Sequence, residues 1–330
     1  MHLRLAISLE RTLRRALLNT ASRGPISPCF VPAAWCFGCV HTIAPPRLDI
    51  WLRPSRACCF TAAMLPSAHS GGRADSYLIC ATPRTGSSLL CGLLESTGVA
   101  GRPESYFRQP DEEAWAARWG ILSQSDGAFS YADYVQAALA AGRTDNGVFA
   151  ARIMWGTMAE VVSKLATVYP DLAGMDVDLL QRAFGQTGFI YLRRGDAVAQ
   201  AVSLLRAEQT NLWFETTQAA HKEPEREPHF DLDELRARVH QVGDHNAAWQ
   251  AWFAATGIET YPVLYEDLDA DPVGITRGVL DFLGLELPGT AEIVVQHRRL
   301  ADHLSAQWIN RYRAEEPWLP KLTALARFRF

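Results

Sequence analysis

The segment Thr82-Pro-Arg-Thr-Gly-Ser-Ser88 sets hydroxyls, a guanidinium and a glycine side by side. That set suits a phosphate group, because the N–H groups of a turn that opens a helix converge with the positive end of the helix dipole. Gly86 lets the backbone come close, Thr85, Ser87 and Ser88 offer hydroxyl donors, and Arg84 supplies charge. The segment is not a Walker A loop: the first glycine is missing and Ser87 stands where that motif has lysine. With no obvious acidic strand end to complete a Mg²⁺ site, nucleotide triphosphate hydrolysis fits poorly. A loop that only caps a helix is the alternative. The same chemistry recurs at Arg193-Arg-Gly195, followed by Asp196 and, two helical turns later, Ser203. There the alternative is that Arg193 and Arg194 are surface charges and Ser203 a helix-surface hydroxyl.

Both segments require a strand before them and a helix after them. Tyr77-Leu-Ile-Cys-Ala81 and Gly188-Phe-Ile-Tyr-Leu192 are short apolar runs of buried-strand type. Ser87 to Ser96 places Leu89, Leu90, Leu93 and Leu94 on one helical face, and Asp196 is a natural N-cap for a helix to about Thr210 carrying the stripe Val198, Val202, Leu205 and Gln209. Strands predicted at 77–81, 147–153, 188–193 and 259–264 alternate with helices at 87–97, 156–167, 196–211, 231–256 and 272–284. Alternation of this kind predicts parallel βαβ units. The acidic, proline-containing stretch 221–228 is a loop between two helices, over the acceptor site or simply solvated.

The chain has 330 residues, 48% hydrophobic and 21% charged, enough for a substantial core. Its net charge of −4 gives no support to a general nucleic-acid or anionic-membrane binder. The most apolar region, 26–50, is broken by Pro28, Pro32, Pro45 and Pro46, so no membrane span is predicted. Residues 1–63 hold eight arginines against Glu10 and Asp49, a net +6 that leaves −10 for the remainder. This leader is either an organellar targeting segment or upstream sequence read in frame, with Met64 the true start; the second reading is preferred, since the chain has only three lysines, a bias of GC-rich coding. Residues 1–74 are therefore a non-domain leader that packs poorly, and 75–330 form the domain. Five of the seven cysteines lie in the leader, so the body has no disulfide framework, and Cys36-Phe-Gly-Cys39 lacks the second pair that a metal or redox site would want. No internal repeat is present.

Taken together, TPRTGSSLL (82–90), STGVAGRPESYF (96–107), GVFAARIMW (147–155), RRGDAVAQAVSLLRAEQTNLW (193–213) and VLYEDL (263–268), five segments in order across residues 76 to about 315, resemble the bacterial sulfotransferases that use 3′-phosphoadenosine 5′-phosphosulfate (PAPS), the family typified by trehalose 2-sulfotransferase. The resemblance implies an α/β fold, P-loop-like and three-layered, with a central mostly parallel sheet, helices on both faces and the ligand across the carboxyl ends of the strands. It implies transfer of a sulfuryl group from PAPS to a hydroxyl of a carbohydrate or glycolipid. Residues 82–90 resemble the family's 5′-phosphosulfate loop and 193–213 its 3′-phosphate segment, so Arg84, Thr85, Gly86, Ser87, Ser88, Arg193, Arg194 and Ser203 are expected to bind the donor, with Arg152 where a basic residue is usual.

Sulfuryl transfer requires an aligned acceptor hydroxyl, a proton acceptor and positive charge where the leaving phosphate becomes more negative. Arg84 is expected to supply that charge. No metal is expected, because a sulfuryl group carries fewer charges than a phosphoryl group. The family's base is a glutamate in a segment resembling Gly-x-Pro-x-Glu; here Gly101-Arg-Pro103-Glu104-Ser105 puts the glutamate one place early. Glu104 is the only carboxylate in the segment and is taken as general base, aided or replaced by His221 or His229; a loop carboxylate paired with Arg102 or Arg108 is the alternative. Near the carboxyl terminus Arg298, Arg299 or Arg311 can cover the nucleotide or lie on a helix surface. Two other functions share these features. A non-catalytic nucleotide-binding protein would lack a proton acceptor, and a small-molecule kinase would want a metal, a triphosphate and the missing loop lysine. A cytoplasmic location is expected, and the oligomeric state is open, a homodimer included.

Overall fold

The computed structural model describes residues 72–121, 129–213, 225–289, 291–295 and 302–316, all within the unit Ala63–Phe330. The leader up to residue 71, His221, Arg298 and Arg299 lie outside the described residues.

Four strands, β1 (Ser76–Ala81), β2 (Phe149–Met154), β3 (Thr187–Arg193) and β4 (Tyr261–Leu264), form one sheet in the order β2-β1-β3-β4, every pair parallel. All six residues of β1 are buried, as a strand covered on both faces requires, which is why it reads as a continuous apolar run. Successive side chains leave on opposite faces. Leu78 and Cys80 join a core with Phe149, Ala151 and Tyr191, while Tyr77, Ile79 and Ala81 join a second core with Ala150, Ile190 and Leu192. The result is three layers with a core on each side of the sheet, as the resemblance implies.

The second core is closed by α1 (Ser87–Ser96), α8 (Tyr265–Ala270) and α9 (Pro272–Phe282) through Leu90, Leu268 and Val279. The first is closed by α2 (Gln109–Arg118), α3 (Tyr131–Gly142), α4 (Trp155–Val168), α5 (Asp176–Phe184) and the long α7 (Leu232–Thr256) through residues such as Tyr134, Leu165 and Trp249. Helix α6 (Ala197–Thr210) follows β3. Its stripe residues Val198, Val202 and Leu205 pack with Leu235 of α7 and with Trp308 and Tyr312 of α10 (His303–Glu315). Because β2 and β3 lie on opposite sides of β1, the crevice at the strands' carboxyl ends opens beside β1 and β3, the strands that end in the two basic turns.

The elements predicted from periodicity are present within about two residues at each end. Strand β4 is shorter than predicted, starting at Tyr261 rather than 259; it is an edge strand containing Pro262, which cannot donate to a ladder. Helices α2, α3, α5, α8 and α10 were not among those predicted.

Helix α10 clasps α6. Asp302 caps α10 by accepting from Ser305 N–H at 2.9 Å and holds Arg206 of α6 with both oxygens, at 2.5 and 2.9 Å. The hydrogen bond from Arg206 is the main reason its carboxyl titrates at about 2 instead of 3.8. A carboxyl depressed in this way stabilises the fold fully above its ordinary value and loses that contribution as pH falls through about 2. Asp302→Ala is expected to lower Tm at neutral pH by about 2–4 °C, the scale of a lost N-cap in a domain of this size. Melting curves of parent and variant should converge as pH is lowered below about 4.

Candidate active site

The first basic turn is locked from within. Thr85, fully buried, donates its hydroxyl to Thr82 O at 2.9 Å, so this side chain holds the loop's shape. Arg84 takes up φ 68°, a left-handed conformation uncommon outside glycine, and Gly86 follows at φ 82° as N-cap of α1. Gly86 contributes no capping side chain, which leaves the amino end of α1 to a ligand. A Cβ on Gly86 would lie 2.5 Å from the ring of Tyr265, the first residue of α8, so the glycine is required by packing as well as by conformation. On the β2 side, Arg152 donates from Nε to Ser105 Oγ at 2.9 Å and from one terminal nitrogen to Ser88 Oγ at 2.9 Å and Ser87 Oγ at 3.3 Å. Arg152, Ser87, Ser88 and Ser105 thus meet at the first turn of α1.

On the β3 side the two basic turns converge. Arg84 Nε donates to Ser203 Oγ at 2.9 Å, and its terminal nitrogen to the Trp213 carbonyl. Burial, then the like charges of Arg194 and Arg206, depress the Arg84 guanidinium to about 10. Arg206 is already held by Asp302, whereas the hydrogen-bond partners of Arg84, Ser203 and the Trp213 carbonyl, are neutral and leave its charge uncompensated by them. Arg194 stands 4.7 Å over the Tyr265 ring. Gln200, fully buried on α6, ties that helix to the first turn by donating to Thr82 Oγ1 at 2.8 Å and Pro83 O at 2.6 Å.

The turns are not equivalent, although their sequences suggest a repeat. At α6 the Gly195 and Asp196 N–H groups donate to the Glu266 carboxylate at 3.0 and 3.3 Å, and Asp196 caps the helix through Ala199 N–H. The amino end of α6 therefore already holds carboxylates, whereas that of α1 is capped by no side chain. Near Ser203 the positive charge comes from the Arg84 side chain, on which Arg194 bears in turn.

Arg193, at the end of β3, leaves the sheet on the side of Tyr191 and bears on that phenol, opposite to Leu192 in the second core. Glu104 joins the edge of the sheet: its carbonyl accepts from Arg152 N–H at 2.9 Å and it bridges to Ala151. Its carboxylate is exposed and accepts from Ser105 N–H at 3.3 Å, while its charge bears on the Cys91 thiol of α1. The side chain of Ser105, rather than that of Glu104, meets the Arg152 guanidinium. Neither Arg102 nor Arg108 holds Glu104; Arg102 donates to Arg143 O and Arg108 pairs with Asp111. His229 is exposed, with its N–H on Gln209 at 3.0 Å, and Arg311 pairs with Glu315 and lies 4.0 Å over Phe230.

Several site residues carried no assigned role in the sequence reading: Gln200, Arg206, Tyr265, Glu266 and, on α7, His245 and Asn246. Thr82 Oγ1 reaches Asn246 Oδ1 at 3.5 Å, and burial pushes the neighbouring His245 below its ordinary value, partly offset by Asp244. Only the VLYEDL segment, quoted for its resemblance, signalled Tyr265 and Glu266. Among the described residues, no group of three or more His, Cys, Asp or Glu side chains is arranged to hold a metal ion, and no helix is long and apolar enough to cross a membrane.

The model of the Stf0 sulphotransferase family matches residues 76–315, most of the chain and all of the sheet. The chain is 31% identical over 274 residues to the trehalose 2-sulfotransferase of Mycobacterium tuberculosis, covering 74% of this chain and 96% of that protein. It is 30% identical over 264 residues to the trehalose 2-sulfotransferase of Mycolicibacterium smegmatis, covering 73% and 95%. With the parallel sheet and the two basic turns at its carboxyl edge, these matches place the chain in the Stf0 sulphotransferase family, and it is a sulfotransferase enzyme.

Proposed function

We propose that this enzyme transfers the sulfuryl group of PAPS to a hydroxyl of a carbohydrate or glycolipid, without a metal. The observation that carries the reading is the hydrogen bond from Arg84 of the first turn to Ser203 of α6, at a site where burial first and the like charge of Arg194 next depress the Arg84 guanidinium. A donor set of this kind fits a nucleotide bearing anionic groups at both ends. PAPS would supply an activated sulfuryl group on a phosphate leaving group. The chain's residues do the rest: the amino end of α1 with Arg84 holds the 5′ end, Arg194 and Ser203 hold the 3′-phosphate, and Arg152 with Ser87 and Ser88 orients the group being moved. Glu104 takes the acceptor proton. The two relatives, both trehalose 2-sulfotransferases, support a carbohydrate acceptor, with Ser105 in place of the usual glutamate as a reason to test sugars other than trehalose. The domain proposed for this activity spans 75–330, in the cytoplasm, with residues 1–74 outside it and a homodimer compatible with it.

Nucleotide titrations test the binding half of the proposal. Adenosine 3′,5′-bisphosphate should bind more tightly than adenosine 5′-monophosphate, with ATP plus Mg²⁺ and NAD weaker still. Arg194→Ala should remove most of the preference for the bisphosphate, about tenfold or more for a lost charge-assisted contact. Arg193→Ala, on the Tyr191 side, should remove less. Equal weakening of both nucleotides by Arg194→Ala would show that this arginine reads no 3′-phosphate.

A further inference from the structure

We infer that the adjacent pair Tyr265–Glu266 is a spacer that sets the separation of the two phosphate turns, and that Glu266 is thereby a positioning residue for discrimination between nucleotides with and without a 3′-phosphate. The inference rests on the bisphosphate reading above. Tyr265 presses its ring against the position of the missing Gly86 side chain in the first turn. Arg194 of the second turn stacks on the same ring at 4.7 Å. Glu266, next along α8, accepts the N–H groups of Gly195 and Asp196, and a Cβ on Gly195 would lie 3.4 Å from its Oε2. Two consecutive residues following β4 therefore touch both turns, adding to the links made by the β1–β3 ladder beneath them and by α6 side chains such as Gln200 and Ser203.

The chemistry of Glu266 suits this task. Its carboxylate accepts two backbone donors at the start of α6, where the helix dipole favours negative charge. It thus fills the amino end of α6 with an internal anion, so a ligand's phosphate is directed away from the helix end and toward the guanidinium cluster of Arg84 and Arg194. A glutamine has one oxygen and would turn its NH₂ donor toward a backbone N–H, so Glu266→Gln should loosen the turn while keeping side-chain size. A loosened turn moves Arg194 relative to Arg84. That displacement harms only a ligand that must satisfy both ends.

Calorimetric titration of the full chain with adenosine 3′,5′-bisphosphate and with adenosine 5′-monophosphate tests the inference. The parent arm decides the bisphosphate reading: a parent that does not prefer the bisphosphate overturns that reading and this inference with it. Given a parent preference, Glu266→Gln should cut bisphosphate affinity about tenfold, on the scale of a hydrogen bond to a charged group, and leave monophosphate affinity within about twofold. Tyr265→Leu, which frees the first turn as well, should weaken both nucleotides. A purely structural role would lower both affinities together in Glu266→Gln, and an unchanged preference in a variant that melts cooperatively would overturn the spacer. If Glu266→Gln does not fold, Glu266→Asp, whose shorter carboxylate reaches fewer donors, is held to the same criterion.

Discussion

Glu104→Gln is expected to lower turnover by about 100-fold or more while leaving bisphosphate affinity nearly unchanged, the signature of a lost general base. Glu104 bonds to no residue of the donor loop; its carboxylate is exposed and rests on the adjacent Ser105 N–H. On the proposed role its effect would be confined to the step in which an acceptor hydroxyl loses a proton. Single-turnover kinetics with saturating donor read that step directly. Turnover within a few-fold of the parent would exclude Glu104 and direct attention to His245, which burial keeps neutral to lower pH than an exposed histidine and which adjoins the Thr82 partner Asn246. A base of that kind would be fully active at neutral pH, with activity lost only as the imidazole is protonated on acidification.

The second large effect is expected at Arg84. Arg84→Ala should both raise the donor dissociation constant and lower turnover, by roughly 100- to 1,000-fold in the chemical step, as for removal of one preorganised oxyanion donor. On the proposed role the two effects would have one cause: burial first and the like charge of Arg194 next disfavour the lone guanidinium, so a bound anion would relieve it, and the same charge would meet the leaving phosphate as it becomes more negative. Arg84→Lys should recover only part of the loss, because an ammonium cannot engage Ser203 and a second group in the guanidinium's planar geometry. A variant with impaired binding but parental turnover at saturation would restrict Arg84 to ground-state binding.

The residues that form each turn were legible in the sequence because their signals are local. A buried strand reads as a continuous apolar run, a tight anion loop needs Gly86, and a helix start needs a cap such as Asp196. What joins the turns is not local. Arg84 meets Ser203 119 positions away, Gln200 meets Thr82 118 positions away, and Glu266 meets Gly195 71 positions away, pairings that only the sheet order creates. The apparent repeat of strand, arginines and helix hid a difference of the same origin, since the anion at the start of α6 is a carboxylate arriving from α8. Glu104 and Ser105 illustrate a third limit. Neighbours in an extended segment face opposite ways, so the choice of which side chain meets the Arg152 guanidinium depends on pairing with β2, and composition is silent about it. Helix α8 escaped periodicity because it has only 6 residues and α2 because it buries only Glu112 and Ala116 and so has no apolar stripe, while α10 is held by Arg206, Arg313 and Trp308, contacts made across the chain.

Transfer of a sulfuryl group from PAPS to a sugar hydroxyl at this site is open to direct assay. Incubation of the full chain with radiosulfur-labelled PAPS, EDTA and a panel of acceptors that includes trehalose, other disaccharides and glycolipids measures it directly. The expected result is label on at least one carbohydrate acceptor, retained in EDTA and abolished in Arg84→Ala. Contradiction would come as no transfer to any carbohydrate, or as phosphoryl transfer from ATP that depends on Mg²⁺ under conditions where PAPS is inert.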